Sequence, residues 1–159
     1  MPLSNLERLI RMADEVFANK SDPNQLDVNE EVMERLLRIH PSTVSEYDDG
    51  NGPVAWVLII PSTTGLMNSF LENKISEKEL FELTQPDGAY EAVYLCSALV
   101  LEEYRRKGIA KQLALEAIAK IRLEHPIKAL FVWAFSKEGE LGSEAIARST
   151  SLPLFKKIG

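Results

Sequence analysis

ALVLEEYRRKGIAKQLALEAIAKI, Ala98 to Ile121, carries an apolar segment into three successive cations, then a glycine, then a long helical pattern. Arg105, Arg106 and Lys107 stand where that helix starts, although the backbone dipole there is already positive and favours acidic side chains. The cluster is explained if an anion such as a phosphate occupies the helix start, because backbone N–H groups and cationic side chains then converge on it. Outward from this point, Tyr90 to Leu101 reads as a strand. The helix spans about Gly108 to Glu124 and is stopped by His125-Pro126, and Ile127 to Phe135 reads as the next strand. Strand, crossover helix and strand within roughly 45 residues predict a right-handed βαβ unit.

Upstream, Ser4 and Glu7 have capping-box spacing, and Leu6, Leu9, Ile10, Ala13, Val16 and Phe17 follow at helical spacing up to about Lys20, where SDPN breaks the pattern. A second helix is expected from near Asn29, burying Val32, Met33, Leu36 and Leu37 and ending before Pro41. The period then changes to two: Thr43 to Asp48, the turn DDGNG and Val54 to Ile60 read as a hairpin. Residues 64–84 return to helix in two pieces, the second opened by Ser76 and Glu79 and closed by QPDG; nothing in this insert points to chemistry. At the end, Ser143 to about Ser149 reads as a helix, followed by a final turn or short helix from Leu152. The expectation is one α/β (α+β) domain over 1–159 with a mixed sheet. It comprises N-terminal helices and a hairpin (1–60), a helical insert (63–85) and a core (90–159).

With 159 residues, 45% of them hydrophobic, the chain can bury a continuous core without staples. The single cysteine, Cys96, excludes an internal disulfide and a cysteine zinc cluster, and two histidines, His40 and His125, are too few for a histidine site. No metal and a reducing, cytoplasmic setting are therefore expected. No apolar run approaches the roughly 20 residues of a membrane span, and acidic residues interrupt the N-terminal apolar ones, unlike a signal peptide. The net charge of -6 disfavours nucleic acid as a partner and favours a cationic, amine-bearing small molecule.

Arg105, Gly108 and Ala110 satisfy R-x-x-G-x-A directly after a strand and before a helix. In this the sequence resembles the GNAT superfamily of acetyl-coenzyme A dependent N-acyltransferases. The likeness is specific over Tyr90 to Gly159, with Val100 at the customary apolar position and Glu102 where proline is common, and generic over the N-terminal half. It implies a mixed, mostly antiparallel central sheet flanked by helices, with acetyl-coenzyme A as cosubstrate. The motif strand would splay from the next one, and free backbone groups at Leu99, Val100 and Leu101 would pair with the pantetheine amides. The diphosphate would lie on Arg105, Arg106, Lys107, Gly108, Ile109, Ala110 and Lys111. Independently of the resemblance, glycine at 108 and a small residue at 110 let successive N–H groups approach an anion closely. Each exposed charge contributes only about 0.3–1 kcal/mol, so the N–H cluster dominates. A GxGxxG dinucleotide fingerprint is absent.

Acyl transfer needs a general base and a proton for the leaving thiolate. Glu91 and Tyr94 are the candidate bases; period two puts them on opposite faces of the strand, and either one remains open. Many family members carry a proton-donating tyrosine in the closing helix, which LPLFKKIG resembles, but Phe155 stands at that position. Ser149, Thr150, Ser151 or Cys96 are the substitutes at hand, or the thiolate leaves unprotonated. The family usually continues past the equivalent of Gly159 with further strands. The edge of Ile127 to Phe135 is therefore expected to be covered by the N-terminal insert or by a second chain in a homodimer. Trp56 and Trp133 read as core or cleft wall, His40 and His125 as capping residues, Cys96 as a small buried hydrophobe, and Asp48 and Asp49 as turn formers. The leading expectation is acetyl transfer to an amine by direct attack; the alternative is a non-catalytic coenzyme A binding or sensing module of the same fold.

Overall fold

The computed structural model describes residues 4–19, 30–134 and 136–158. In it the period-two runs form one five-stranded sheet in chain order: β1 (Val44–Asp48), β2 (Pro53–Ser62), β3 (Ala92–Val100), β4 (Ala129–Val132) and β5 (Leu154–Lys156). β1–β2 and β2–β3 pair antiparallel, whereas β3–β4 and β4–β5 pair parallel. The helices are α1 (Asn5–Asn19), α2 (Glu30–Ile39), α3 (Thr64–Leu71), α4 (Glu77–Leu83), α5 (Ile109–Glu124) and α6 (Lys137–Thr150). Among the described residues no helix is long and apolar enough to cross a membrane.

Continuous apolar runs become the central strands because both of their faces are covered. All of β4 is buried, as is β2 apart from Trp56. Leu36, Ile59, Ile60, Leu80, Ile118 and Ile121 are almost wholly excluded from water, each such side chain contributing about 1.5–3 kcal/mol. α3 and α4 close the face that carries Tyr94 and Phe131: Phe70 of α3 meets both rings edge-on at 5.1 and 5.9 Å between centroids. α5, the crossover between β3 and β4, lies against β1, β2 and β3. The hairpin turn is held by Asp48, whose Oδ1 accepts from the N–H groups of Gly50 and Gly52, and by Asp49, which accepts from Asn51 N–H. Both aspartates thus serve turn chemistry, as expected.

Several expectations are corrected. In α2 the buried residues are Leu36 and Ile39, while Leu37 is 51% exposed. In α1, Leu9 is buried but Leu6 and Ile10 are exposed; Lys20, Asn29, SDPN and Phe135, and the side chains of Val16 and Phe17, lie outside the described residues. The strand expected over Ile127 to Phe135 is four residues long. α6 begins at Lys137 rather than Ser143, because Ser136 caps it by accepting from Gly139 N–H and the glycines at 139 and 142 are tolerated within it.

The segment from Leu152 is a strand, not a turn or closing helix. Ser151 ends α6 in the left-handed conformation (φ 59°), and the outer edge of β4 needs partners. Pro153 O accepts from Leu130 N–H and Lys157 N–H donates to Val132 O at either end of β5. The edge of β4 is therefore covered by the chain's own C-terminal segment, where the sequence pointed to the insert or a second chain. β5 is short and carries Lys156, which Glu140 and Glu144 hold at 2.9 and 2.5 Å, the kind of charged edge that resists further pairing.

Candidate active site

Strand lengths create the site. β3 has nine residues and β4 four, so only Ala92 to Leu95 pair with Ala129 to Val132. Past Leu95 the two strands part, and Cys96 to Val100 have β2 on one side and no strand on the other among the described residues. A bulge sits at the apex of this fork: partners jump from Ser97–Leu58 to Leu95–Ile59, leaving Cys96 as the extra residue.

Leu101 N–H donates to Val54 O, so antiparallel alternation turns Leu99 toward β2 as well and turns Ala98 and Val100 toward the open side. Of the expected free backbone groups, Val100 is thus the one that faces the fork, and Leu101 N–H is already committed. Val100 O accepts from Arg105 Nε at 3.0 Å.

Beyond β3 the chain makes a single 3-10 turn, Glu102–Tyr104, and reaches α5 through Arg105, Arg106, Lys107 and Gly108. Arg106 and Gly108 are left-handed (φ 64° and 76°), and glycine is the residue that takes this conformation without cost. α5 has no side-chain cap, and its first backbone bond runs from Gln112 N–H to Gly108 O. The N–H groups of Ile109, Ala110 and Lys111 therefore have no helical acceptor. A Cβ built on Gly108 meets nothing within 4 Å, so open space lies beside these amides. Arg106, Lys107 and Lys111 beside it in the chain are exposed, as is Arg105, whose guanidinium is turned to the end of β3. Uncapped amides, open space beside them and exposed cations in the same loop fit a diphosphate.

The outside of this loop is braced from the N-terminal half. Arg8 of α1 forms a two-pronged ion pair with Glu103 at 2.5 and 2.7 Å, and that hydrogen bonding holds the Glu103 carboxyl down at about 2. Tyr104 donates its hydroxyl to Asp49, which raises the phenol and lowers the carboxyl. Lys107 Nζ lies 5.4 Å from the Tyr104 ring centroid. Arg105 reaches back over the strand end, its Nη2 3.8 Å from Met12 Sδ, rather than toward the helix start.

The two expected bases separate. Glu91 precedes β3 at the closed end of the fork, where Lys128 at 3.1 Å and Thr64 at 3.2 Å bind it; hydrogen bonding to Lys128 lowers its pKa. Tyr94 lies one residue before the last β3–β4 pair, fully buried, and burial pushes its phenol well above the usual value. Its hydroxyl donates to Oε2 of Glu77, at 2.5 Å. Cys96 is half-buried rather than buried, and its Sγ is 4.0 Å from the same oxygen. Glu77, the first residue of α4 and 6% exposed, belongs to the insert that showed no chemistry in the sequence. Beyond β4, Trp133 forms a wall of the fork between Phe70 and Lys157, whose Nζ is 4.3 Å from its centroid. Phe155 is 43% exposed on β5, level with Phe131. Of the other hydroxyls considered, Thr150 bonds to Ile146 O and Ala147 O within α6.

The two histidines meet although 85 positions separate them: His40, Glu124 and His125 bring ligand-type atoms within 4.8 Å of one another. His40 Nδ1 accepts from Ser42 N–H, and His125 Nδ1 accepts from Tyr90 N–H. This bonding puts the proton of each neutral ring on Nε2, where His40 turns it to Glu124 at 3.2 Å. A metal held through Nε2 would require both rings to switch tautomer against backbone donors. The His40 side chain thus caps the 3-10 turn that follows α2, as expected, whereas the His125 side chain ties the segment before β3 to the end of α5.

The model of the Acetyltransferase (GNAT) family matches residues 9–140, which takes in the fork, the loop, α5 and the insert. No curated protein matches the chain. Proteins of this family in general transfer acetyl groups from acetyl-coenzyme A. With that match over most of its length, and with a five-stranded mixed sheet opening into a fork above an uncapped helix start, the chain belongs to the GNAT family.

Proposed function

We propose that the protein is an N-acetyltransferase that moves the acetyl group of acetyl-coenzyme A to an amine by direct attack, working as a single domain in the cytoplasm. The observation that carries this reading is the outer edge of β3 from Ser97 to Val100, which has no strand beside it among the described residues, running into the uncapped start of α5 at Gly108. The amides of Ile109, Ala110 and Lys111 take the diphosphate, with Arg105, Arg106, Lys107 and Lys111 around it. The pantetheine amides lie along Val100, flanked by Leu99 and Leu101, and displace the Arg105 side chain from Val100 O. Arg105 is then released toward the diphosphate. The net charge of -6 favours a cationic acceptor amine.

A second reading, a coenzyme A binding module without catalysis, is favoured by one observation: Phe155 has no proton to give. Two experiments separate the readings. Acetyl-coenzyme A and coenzyme A, but not ATP or NAD, are expected to raise the melting temperature, because a ligand that binds only the native form stabilises it. A panel of polyamines, peptide N-termini and lysine peptides is then expected to yield an acetylated product. Binding without any acetylated amine supports the module, and no stabilisation by either coenzyme A species defeats both readings.

A further inference from the structure

Buried carboxylates are costly unless the surrounding structure uses them, and Glu77 is such a group. Helix capping does not require it. Ser76 and Glu79 already form a complete capping box at the start of α4, with Ser76 N–H donating to Glu79 Oε1 at 3.1 Å and Glu79 N–H donating to Ser76 Oγ at 3.1 Å. The contacts of Glu77 lead elsewhere. Its Oε2 accepts from Tyr94, opposite Phe131 just before the strands part, and lies 4.0 Å from Cys96 Sγ, the extra residue at the apex of the fork. Phe70, Phe131 and Trp133 supply apolar walls nearby, which exclude the bulk water that would compete for the proton.

Resting on the acetyltransferase reading, we propose that Glu77 carries the proton in the reaction, first as base and then as acid. The amine lone pair attacks the thioester carbonyl carbon, the C–N bond forms, and the C–S bond breaks with its electron pair leaving on sulfur. The surplus N–H proton goes to the Glu77 carboxylate, which hands it to the coenzyme A thiolate and is restored. Amine and thioester become amide and thiol, with no further reactant. One carboxylate thereby does what the family's closing-helix tyrosine does elsewhere, and Phe155 is no obstacle. Tyr94 is a positioning residue that fixes Oε2 through its hydroxyl.

The test uses the full chain with Glu77→Gln, which keeps the shape and still accepts from Tyr94, and Tyr94→Phe, which removes the donor. For Glu77→Gln, kcat/KM for the acceptor amine is expected to fall about 10²- to 10⁴-fold, with the melting shift by acetyl-coenzyme A unchanged. The step that Glu77 contributes to the acid limb of its pH profile should disappear, leaving only the one set by the acceptor amine's own protonation. For Tyr94→Phe the acid limb should move to higher pH, because the ionised carboxylate loses its hydrogen bond. Glu77→Gln turnover within threefold of wild type overturns the proposal, as does an unmoved acid limb in Tyr94→Phe. The second result decides the matter even where Glu77→Gln fails to fold. Failure of the underlying reading shows instead in the wild-type chain, as absent stabilisation by acetyl-coenzyme A or absent acetylated product, and removes this assignment with it.

Discussion

Replacing Gly108 by alanine tests the cofactor loop at the point where backbone shape and ligand space coincide. Gly108 has φ 76° and ψ 13° and caps α5. A Cβ there meets nothing within 4 Å, so the unliganded protein incurs only the conformational cost of a left-handed L-residue, about 1–2 kcal/mol. In a domain of this length each kcal/mol moves the melting temperature by about 2–4 °C, so Gly108→Ala should melt about 2–8 °C lower. The liganded state adds a separate effect. Acetyl-coenzyme A at a hundred times its Kd stabilises the native form by about 2.7 kcal/mol, roughly 5–11 °C on the same scale. The new methyl lies in the space beside the amides of Ile109 to Lys111, where the diphosphate is placed, so that increment should shrink by more than half. Differential scanning fluorimetry of wild type and variant, each with and without acetyl-coenzyme A, separates the two effects. A variant that melts lower yet keeps the full ligand increment would refute the diphosphate placement. One that melts at the wild-type temperature would refute the left-handed conformation.

Gly142 supplies the opposite case. It lies exposed inside α6 without a positive φ, and a Cβ there also meets nothing within 4 Å; Gly142→Ala should stabilise by about 0.5–1 kcal/mol and raise the melting temperature by about 1–4 °C. Arg105→Glu should weaken acetyl-coenzyme A binding about three- to thirty-fold by calorimetry, from about 0.6–2 kcal/mol of reversed charge near the helix start, while the unliganded melting temperature barely moves. Glu103 has its pKa lowered from an ordinary 4.5 to about 2 by the Arg8 hydrogen bond, so the contribution of this contact is complete above about 4.5 and is lost as pH falls toward 2. Side-chain carboxyl resonances followed by NMR should show Glu103 titrating well below the other exposed glutamates; titration near 4.5 would mean that α1 is not tied to the loop.

What was legible in the sequence is what local chemistry dictates. R-x-x-G-x-A announces a backbone that needs a left-handed glycine and a side-chain-free approach, and Gly108 has both. Ser76 with Glu79 announces the start of α4, and DDGNG announces the hairpin, because capping and Asx turns are satisfied within a few residues. The LPLFKKIG segment went the other way: local pattern and family likeness pointed to helix, but the open edge of β4 decided for strand, and nothing within the segment encodes that edge. His40 and His125 meet because α2 and α5 end side by side, a fact of topology that no spacing reveals.

Glu77 shows why active-site chemistry is the part most easily missed. At the first position of a capped helix a glutamate is the ordinary choice, and its sequence neighbours give no reason to look further. Its meaning comes from burial and from Tyr94, 17 positions away on a strand that the insert must fold back to cover. The same strand, by ending its pairing with β4 at Leu95 and bulging at Cys96, sets the open backbone edge and this carboxylate side by side. A single change in strand length at β4 would therefore alter both: with two more residues paired to β3, the fork would start beyond Ser97, and the Cys96 apex beside Glu77 would be closed by strand pairing.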